Sequence, residues 1–344
     1  MDYYEGSGTY DREAVRFFDV AHEGAQLRAV AQAADRLERL AGLQPRSVVV
    51  LATDHIAAVA ARAVSAFYAP LEVPVVVARK LPGYVGALDV VVVVGDADRE
   101  EDARGLIAAA GRGAETVLAG PHQGQLLHDA PASTLIIPAL PTAAGPSPAR
   151  TIAVVGAVLR CLTRPVDVVA EKLELLADDV DAEVARLSPE HDETVNLARQ
   201  LRIHADGARV LHTGGGSDWR TGELVAQLAA ALWSARGIAC GFVEAEELAS
   251  ALERAREAGG SGAGESPRPD DIFYDPFIDG PQQLVGLKTI VWACGDAGAA
   301  TAPDTRVEIV AAGSEGAGSG PVDPAAQALR LITRAYAATA LDPS

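Results

Sequence analysis

Hydrophobic positions in residues 11 to 42 recur at a helical period. Apolar side chains lie close to a 3.6-residue spacing, and a glycine at position 42 ends the pattern. The stripe consists of Val15, Phe18, Val20, Leu27, Val30, Ala33, Leu37 and Leu40. We therefore expect the chain to open with one long amphipathic helix over 11–42.

Short apolar runs then alternate with helical patterns as far as residue 138. Strands are predicted at 47–52, 73–77, 90–94, 115–119 and 134–138, and helices at 56–68 and 100–111. The strands are continuous β-branched runs rather than alternating patterns, which is typical of strands buried on both faces of a parallel sheet. The first half is therefore predicted to be a doubly wound α/β domain.

The second half repeats this strand-first pattern after a linker, LPTAAGPSPAR (140–150), and a group of helices. Helices are predicted at 151–163, 165–187, 189–204, 224–236, 245–257 and 323–340, and strands at 208–212, 239–243, 289–293 and 306–311. The stretch GGSGAGESPRPDD (259–271) is a low-complexity excursion. We expect two tandem α/β domains, 1–164 and 165–344, the second including a helical connector.

Composition and charge narrow the classes of partner. The formal net charge of −18 opposes broad contact with a phosphate backbone, so no nucleic-acid partner is expected. The polar, acidic N-terminus lacks the features of a secretory leader, and no stretch of about 18 apolar residues predicts a membrane span. Three widely spaced cysteines predict neither a disulfide framework nor a zinc site. A reduced cytoplasmic location fits best.

The layout of an opening helix, an α/β domain, a helical connector, a second α/β domain and a closing helix resembles the tandem sugar isomerase (SIS) fold. Within it, FFDVAHEGAQLRAVAQAA, the segment from DVVVVVGDADREED to VLAG, NLARQL and RLITRAYAATALDPS resemble segments of the bifunctional phosphoglucose/phosphomannose isomerase family. The resemblance implies two flavodoxin-like domains with parallel sheets flanked by helices. It also implies a sugar phosphate ligand, isomerisation without a metal or organic cofactor, and a homodimer.

The phosphate-binding motifs of that family are replaced in the first half. A Gly-x-Gly-Gly-Ser loop follows the family's first strand, where this chain reads LATDH (51–55). A hydroxyl-rich loop follows the third strand, where this chain reads GDADREED (95–102). Asp54, Asp96 and Asp98 would each face a phosphate dianion, and one such pair about 4 Å apart costs roughly 4 kcal/mol at an effective dielectric constant of about 20. We expect the usual phosphate site of the first half to be lost.

The remaining candidate anion site is the glycine-rich loop TGGGSDWRTGE (213–223). Backbone amides, hydroxyls and one cation there could bind an oxyanion at a helix N-terminus. The predicted binding residues are Gly214, Gly215, Gly216, Ser217, Arg220 and Thr221. The alternative is a plain strand-to-helix turn with Ser217 or Thr221 as N-cap.

Catalytic candidates come from the resemblance. Arg150, in GPSPARTIAVVG, matches an arginine that neutralises charge at the reacting oxygens, and Glu247, in VEAEELASALE, matches the family's base. The ring-opening histidine then falls on Ser250, so isomerisation lacks one of the two groups it needs. His55 could replace it and, with Asp54, contact the substrate; the alternative is a solvated loop in which Asp54 caps a helix.

Two functions of different classes therefore stay open, and the chain is not assigned as an enzyme. One is an isomerase of glucose 6-phosphate and mannose 6-phosphate with weak or lost activity. The other is a non-catalytic SIS protein that binds a sugar phosphate, a nucleotide-sugar or a protein partner in a regulatory or scaffolding role. A metal-dependent enzyme using Asp96 and Asp98 is a third alternative, although acids in a first helical turn also suit the helix dipole.

Overall fold

The computed structural model describes residues 11–142, 145–258, 285–296, 304–310 and 323–343. The low-complexity stretch 259–271 lies outside the described residues. The chain divides into two compact units. Unit 1 runs to Ile203 and includes the segment from Thr333 onward, and unit 2 comprises His204–Ile332.

The first described segment of unit 1 is helical, but it is not one helix. It consists of α1 (Arg12–Ala21), α2 (Glu23–Gln32) and a 3-10 helix (Ala34–Leu40). At the first break the His22 ring nitrogen Nδ1 lies 2.7 Å from the Phe18 carbonyl oxygen, the acceptor that a continuous helix would offer to the His22 amide. That amide instead donates to the Asp19 carbonyl at 3.2 Å. The prediction of one continuous helix over 11–42 is therefore wrong.

The sheet of unit 1 is parallel and doubly wound, as predicted. Its elements are β1 (Ser47–Ala52), α3 (His55–Phe67), β2 (Val75–Ala78), β3 (Asp89–Val94), α4 (Glu100–Gly111), β4 (Glu115–Ala119), α5 (Gln125–His128) and β5 (Leu135–Ile136). The strand order is β2-β1-β3-β4-β5, with every neighbouring pair parallel. All residues of β1 and β3 are buried, which explains their valine-rich sequences.

Three further helices follow the sheet: α6 (Pro148–Cys161) and α7 (Val166–Arg186) in unit 1, and α8 (Leu197–Ala205), whose last two residues belong to unit 2. Helix α7 packs along α2. A side chain at Gly24 of α2 would collide with the Asp181 carboxylate, and Arg28 of α2 pairs with Asp181 and, at 2.6 Å, with Asp178. The connector therefore belongs with the first sheet, so the units divide about forty residues later than the predicted boundary after residue 164.

Unit 2 contains a smaller parallel sheet. Its elements are β6 (Ala208–Gly215), α9 (Trp219–Ala235), β7 (Cys240–Phe242), a 3-10 helix (Ala245–Glu247), α10 (Leu248–Ala258), β8 (Gly286–Ala293) and β9 (Thr305–Ile309). The strand order is β7-β6-β8-β9. At its core the His212 ring accepts a hydrogen bond from the Trp292 indole at 3.1 Å and meets the Trp233 ring edge to face. Burial lowers the pKa of His212 to about 3, so this histidine is a neutral core residue.

The last helix, α11 (Pro324–Ala338), begins in unit 2 and ends in unit 1. Its Arg334 guanidinium contacts the Glu183 carboxylate of α7 at 2.7 Å, with both side chains buried. The Tyr336 hydroxyl donates to the Pro146 carbonyl at 3.0 Å. The end of the chain thus completes unit 1.

Candidate functional site

The carboxyl edge of the unit 1 sheet is the place where a doubly wound fold offers a ligand cleft. The strand order changes direction between β1 and β3, and the loops that leave these strands flank the resulting crevice. They are the LATDH (51–55) and GDADREED (95–102) segments, which contain Asp54, Asp96 and Asp98. The structure shows what those acids contact.

Asp54 uses its carboxylate to hold both loops. One oxygen accepts the Ala57 amide at 2.8 Å and caps α3, and the other accepts the Asp96 amide at 2.9 Å. Gly95, at φ +117°, fits closely, since a Cβ there would lie 2.5 Å from the Asp54 carboxylate. An internal carboxylate therefore occupies amides that could otherwise bind an external anion.

Asp98 has the same kind of role at the neighbouring loop. Its two carboxylate oxygens accept the amides of Gln125 and Leu126, each at 2.7 Å, at the start of α5. Gly124, at φ +120°, leaves room for this carboxylate, with which any side chain would collide. Asp96 and Asp98 thus engage different partners. Within the described ranges, no group of three or more His, Cys, Asp or Glu side chains could hold a metal ion together.

Arg150 lies on α6 and is almost fully buried. Its terminal nitrogens donate to the carbonyls of Ala119, Gly120 and Ile137 at 3.0 to 3.1 Å, at the ends of β4 and β5. Burial lowers the pKa of its guanidinium, and the nearby charge of Asp96 opposes that shift. Arg150 therefore fixes the strand ends and also acts as a countercharge to Asp96.

The segment that leads into α6 holds three more carboxylates. The Gly145 amide donates to Asp19 at 3.3 Å, and the Ala149 amide donates to Glu23 at 2.9 Å. The backbone of Ser147, the N-cap of α6, lies beside the Asp96 carboxylate and acts to lower its pKa. Alternate positions along 145–149 therefore each face an acid, and the helix dipole of α6 adds to the attraction.

Two of these acids, Glu23 and Asp96, have raised pKa values. Burial raises the pKa of Glu23 to about 8, contacts with Ser147 and Ala149 oppose the rise, and the charges of Asp96 and Asp19 add to it. Asp96 keeps exposed surface, yet loss of hydration around its carboxylate raises its pKa to about 6; Arg150 opposes this and Asp54 adds to it. At neutral pH, Glu23 is therefore mainly a neutral acid and Asp96 mainly a carboxylate.

His55 is exposed at the first position of α3. Asp54 is the N-cap of that helix, as one alternative for this loop predicted. A catalytic role for His55 stays a prediction.

In unit 2 the glycine-rich loop is closely packed. The Ser217 and Asp218 amides donate to the carbonyls of Asp296 and Cys294 at 3.2 and 3.0 Å, and the Ser217 hydroxyl accepts the Asp296 amide at 3.0 Å. A side chain at Gly214 would collide with the Glu223 backbone, and one at Gly216, at φ +85°, with the Cys294 carbonyl. These glycines bring α9 and β8 close to β6.

The other predicted residues of this loop point to the same packing role. Asp218, not Ser217 or Thr221, caps α9 by accepting the Thr221 amide at 3.3 Å. Thr221 is buried, whereas the Arg220 guanidinium lies on the exposed surface, 5.3 Å from the centre of the Trp219 ring. Gly215 pairs with Ala293 at the end of β6. An oxyanion at this loop would have to replace contacts that already exist.

Glu247 is exposed at the end of the 3-10 helix that follows β7. Its carbonyl accepts the Ser250 hydroxyl at 3.0 Å. The two predicted catalytic residues thus belong to different units, Arg150 to unit 1 and Glu247 to unit 2. The side chains that the structure does gather are Asp54 and Asp96 with Asp19, Glu23 and Arg150.

Sequence analysis did not single out Asp19 and Glu23, because neither belongs to the apolar stripe of the predicted helix over 11–42. Glu23 lies four and seven residues before Leu27 and Val30, on the same helical face. An acidic residue on the same helical face as apolar core positions is the sequence signal that could have identified Glu23 as buried.

Comparison with solved structures identifies the fold. The C-terminal domain of glucosamine-fructose-6-phosphate aminotransferase from Francisella tularensis matches with a TM-score of 0.55 and 11% identity, over 97% of both chains. Tagatose-6-phosphate ketose/aldose isomerase from Escherichia coli matches with a TM-score of 0.55 and 10% identity, over 96% of this chain and 95% of that one. The chain has the sugar isomerase fold.

Glucosamine-6-phosphate deaminase from Thermotoga maritima also has this fold, with a TM-score of 0.54 and 10% identity over 94% of this chain and 92% of that one. No protein-family model and no curated protein matches the sequence. At these identities the similarity establishes two tandem α/β domains with parallel sheets. Among the described residues, no helix combines the length and apolar character needed to cross a membrane.

Proposed function

We propose that this protein binds a small carbohydrate ligand at the carboxyl edge of unit 1 without isomerising phosphosugars. The observation that carries the proposal is the position of the Asp54 carboxylate, which accepts the Ala57 and Asp96 amides where a phosphate would otherwise bind. The names of structures with the same fold refer to sugar phosphates. That likeness supports a sugar-like ligand by analogy.

Electrostatics argues against a phosphate group at this edge. A phosphate would have to displace Asp54 from two amides and would then face both Asp54 and Asp96. Each repulsive pair about 4 Å apart costs roughly 4 kcal/mol at an effective dielectric constant of about 20. One such pair is equivalent to about three decades of affinity.

The catalytic groups argue in the same direction. Glu247 is exposed, Ser250 stands where the ring-opening histidine is expected, and the terminal nitrogens of Arg150 already bind three carbonyls. Proton transfer between C1 and C2 of a sugar needs a positioned base and a group that opens the ring. We therefore favour a binding protein with a regulatory or scaffolding role, and we retain the homodimer as part of this proposal.

The competing function is isomerisation of glucose 6-phosphate or mannose 6-phosphate. Arg150, a buried cation at the sheet edge beside Asp96, is the feature that favours it. Coupled assays of fructose 6-phosphate, glucose 6-phosphate and mannose 6-phosphate distinguish the two functions. Turnover by the purified protein that disappears in Glu247→Gln would establish the isomerase.

A gain-of-binding variant tests the role of Asp54 directly. Asp54→Ser keeps an N-cap oxygen for α3 but removes the charge and frees the Asp96 amide. We expect the wild-type protein to show no thermal shift with inorganic phosphate or glucose 6-phosphate, and Asp54→Ser to show one with both. Asp167→Ser removes an exposed acid from the first turn of α7 and is the matched control.

The outcomes separate clearly. Stabilisation of the wild-type protein by inorganic phosphate would contradict the proposal. A phosphate response in Asp54→Ser alone supports it.

A further inference from the structure

Four acids of the described residues lie together at the carboxyl edge of unit 1. Asp19 on α1, Glu23 on α2, Asp54 before α3 and Asp96 after β3 form this acidic edge. The Asp54 carboxylate holds the Asp96 amide, and the other three acids meet the backbone of 145–149. Arg150 faces Asp96 from α6, and the Arg99 guanidinium donates to the Thr53 carbonyl next to Asp54.

A buried oxygen at this edge lacks a hydrogen-bond partner. The Glu23 side chain is 1% exposed; its Oε2 accepts the Ala149 amide and Ser147 lies beside the carboxyl, but Oε1 has no hydrogen-bond partner of good geometry. The Gln26 side-chain oxygen, three residues further along the same face of α2, is also buried without a partner. Unpartnered buried acceptors carry a free-energy penalty that a ligand with hydrogen-bond donors relieves.

We propose that the acidic edge of Asp19, Glu23, Asp54 and Asp96 binds the protonated amino group of a small ligand. The inference rests on the proposed function, because it names the charged group that such a carbohydrate ligand would carry. An ammonium group donates three hydrogen bonds and accepts none, so it complements acids whose charges lie close together and one of which has an oxygen without a hydrogen-bond partner. Asp96 is the exposed member through which a ligand enters.

The charges around Glu23 also predict how its protonation changes when a cation binds. Asp19 on α1 and Asp96 after β3 are the charged groups that act on Glu23, and Asp96 in turn interacts with Asp54 after β1 and with Arg150 on α6. A cation placed among them favours the ionised form of Glu23, which is mainly neutral at pH 7 when the site is empty of cations. Ligand binding should therefore release a proton.

Titration calorimetry with glucosamine, glucose and N-acetylglucosamine tests the inference, because these sugars differ at one position and only the first carries an ammonium group. We expect the wild-type protein to prefer glucosamine to glucose by at least about tenfold, and Asp96→Asn to lose that preference. Asp167→Asn, which removes a distant exposed acid, should retain it.

Proton release provides the second readout. Near pH 6.5, where most of the amine is charged, the binding enthalpy of the wild-type protein should differ between HEPES and PIPES buffers by the ionisation enthalpy of the released protons. Glu23→Gln, a neutral isostere that can still accept the Ala149 amide, should bind with less proton release. Glu171→Gln, an exposed change on α7, should behave as wild type.

Equal affinity for glucosamine and glucose, or no binding of glucosamine, would overturn the inference while leaving the absence of phosphosugar isomerisation intact. Asp96-dependent binding of Mg²⁺ in place of glucosamine would also overturn it. Failure of the proposed function has a different signature, which is turnover of a phosphosugar or binding of inorganic phosphate by the wild-type protein.

Discussion

Glu23 shows how one residue can be costly to the fold and still useful at a site. Its side chain lies in line with Leu27 and Val30, positions that bury apolar groups. Burial raises its pKa to about 8, so folding favours the protonated form. Stability is therefore lost as the pH rises from the pKa of the unfolded chain, near 4.3, through the pKa of the folded protein.

We predict that Glu23→Gln is more stable than the wild-type protein above about pH 5 and that the difference grows until about pH 8. The unfolded chain releases the glutamate proton first, while the folded protein retains it, so the wild type loses up to roughly 1.4 kcal/mol per pH unit across this window. Urea unfolding at several pH values measures the difference. A difference in unfolding free energy that does not change with pH would contradict a buried, protonated Glu23. Glu171→Gln, an exposed change on α7, is the control and should show no such pH dependence.

Single residues were predicted unevenly from the sequence, and the reason is physical. The acidic residues of the two loops could be recognised directly from LATDH and GDADREED. The alternative that Asp54 caps a helix is confirmed. The roles of Glu23 and Asp19 could not be predicted, because they depend on the approach of residues 145–149, more than 120 positions away. Local pattern contains no such information.

At the scale of elements, the glycines after β6 serve helix packing. A Cβ at Gly222 of α9 would lie 2.6 Å from the Trp292 carbonyl oxygen and 2.7 Å from that of Gly215. Both are backbone atoms of strands and cannot rotate away. The first turn of α9 can therefore approach β6 and β8 only if position 222 has no side chain.

We predict that Gly222→Ala destabilises the protein by roughly 1–3 kcal/mol, because the new methyl group forces α9 away from the sheet. Thermal unfolding followed by circular dichroism measures the loss. Gly111→Ala, at the end of α4 where a Cβ meets nothing within 4 Å, should be neutral or stabilising by up to about 1 kcal/mol. Equal effects of the two substitutions would show that close packing is not the function of Gly222.

Strands were easier to predict than helix ends. Apolar runs identified β1, β3 and β4 within one residue, because burial on both faces favours apolar residues through most of each strand and leaves polar residues at its start. Helix breaks were missed at His22 and Ala33, since neither proline nor glycine marks them. The predicted start of α9 was five residues late, because its first turn, capped by Asp218, lies within the polar, glycine-containing stretch that was assigned to a loop.

At the scale of the whole molecule, the sequence predicted the fold and the two sheets but not where the units divide. The connector helix α7 and the last part of α11 pack within unit 1, although one follows its sheet and the other lies at the end of the chain. The buried pair Glu183 and Arg334 joins them. No local pattern in the sequence relates two residues 151 positions apart.

This pair gives a prediction for unit 1 as a whole. Arg334→Met leaves the Glu183 carboxylate, 1% exposed, without the guanidinium at 2.7 Å, so we expect a loss of about 3–5 kcal/mol. Replacing both residues, as Arg334→Met with Glu183→Leu, should recover most of that loss because no buried charge remains.

Arg186→Met is the matched control, since Arg186 is half exposed and lies 4.0 Å from the same carboxylate; its effect should stay within about 1 kcal/mol. Urea unfolding gives these energies, and hydrogen exchange should show lost protection in α7. If the single and double substitutions destabilise the protein equally, the closing helix stabilises unit 1 through its apolar contacts instead.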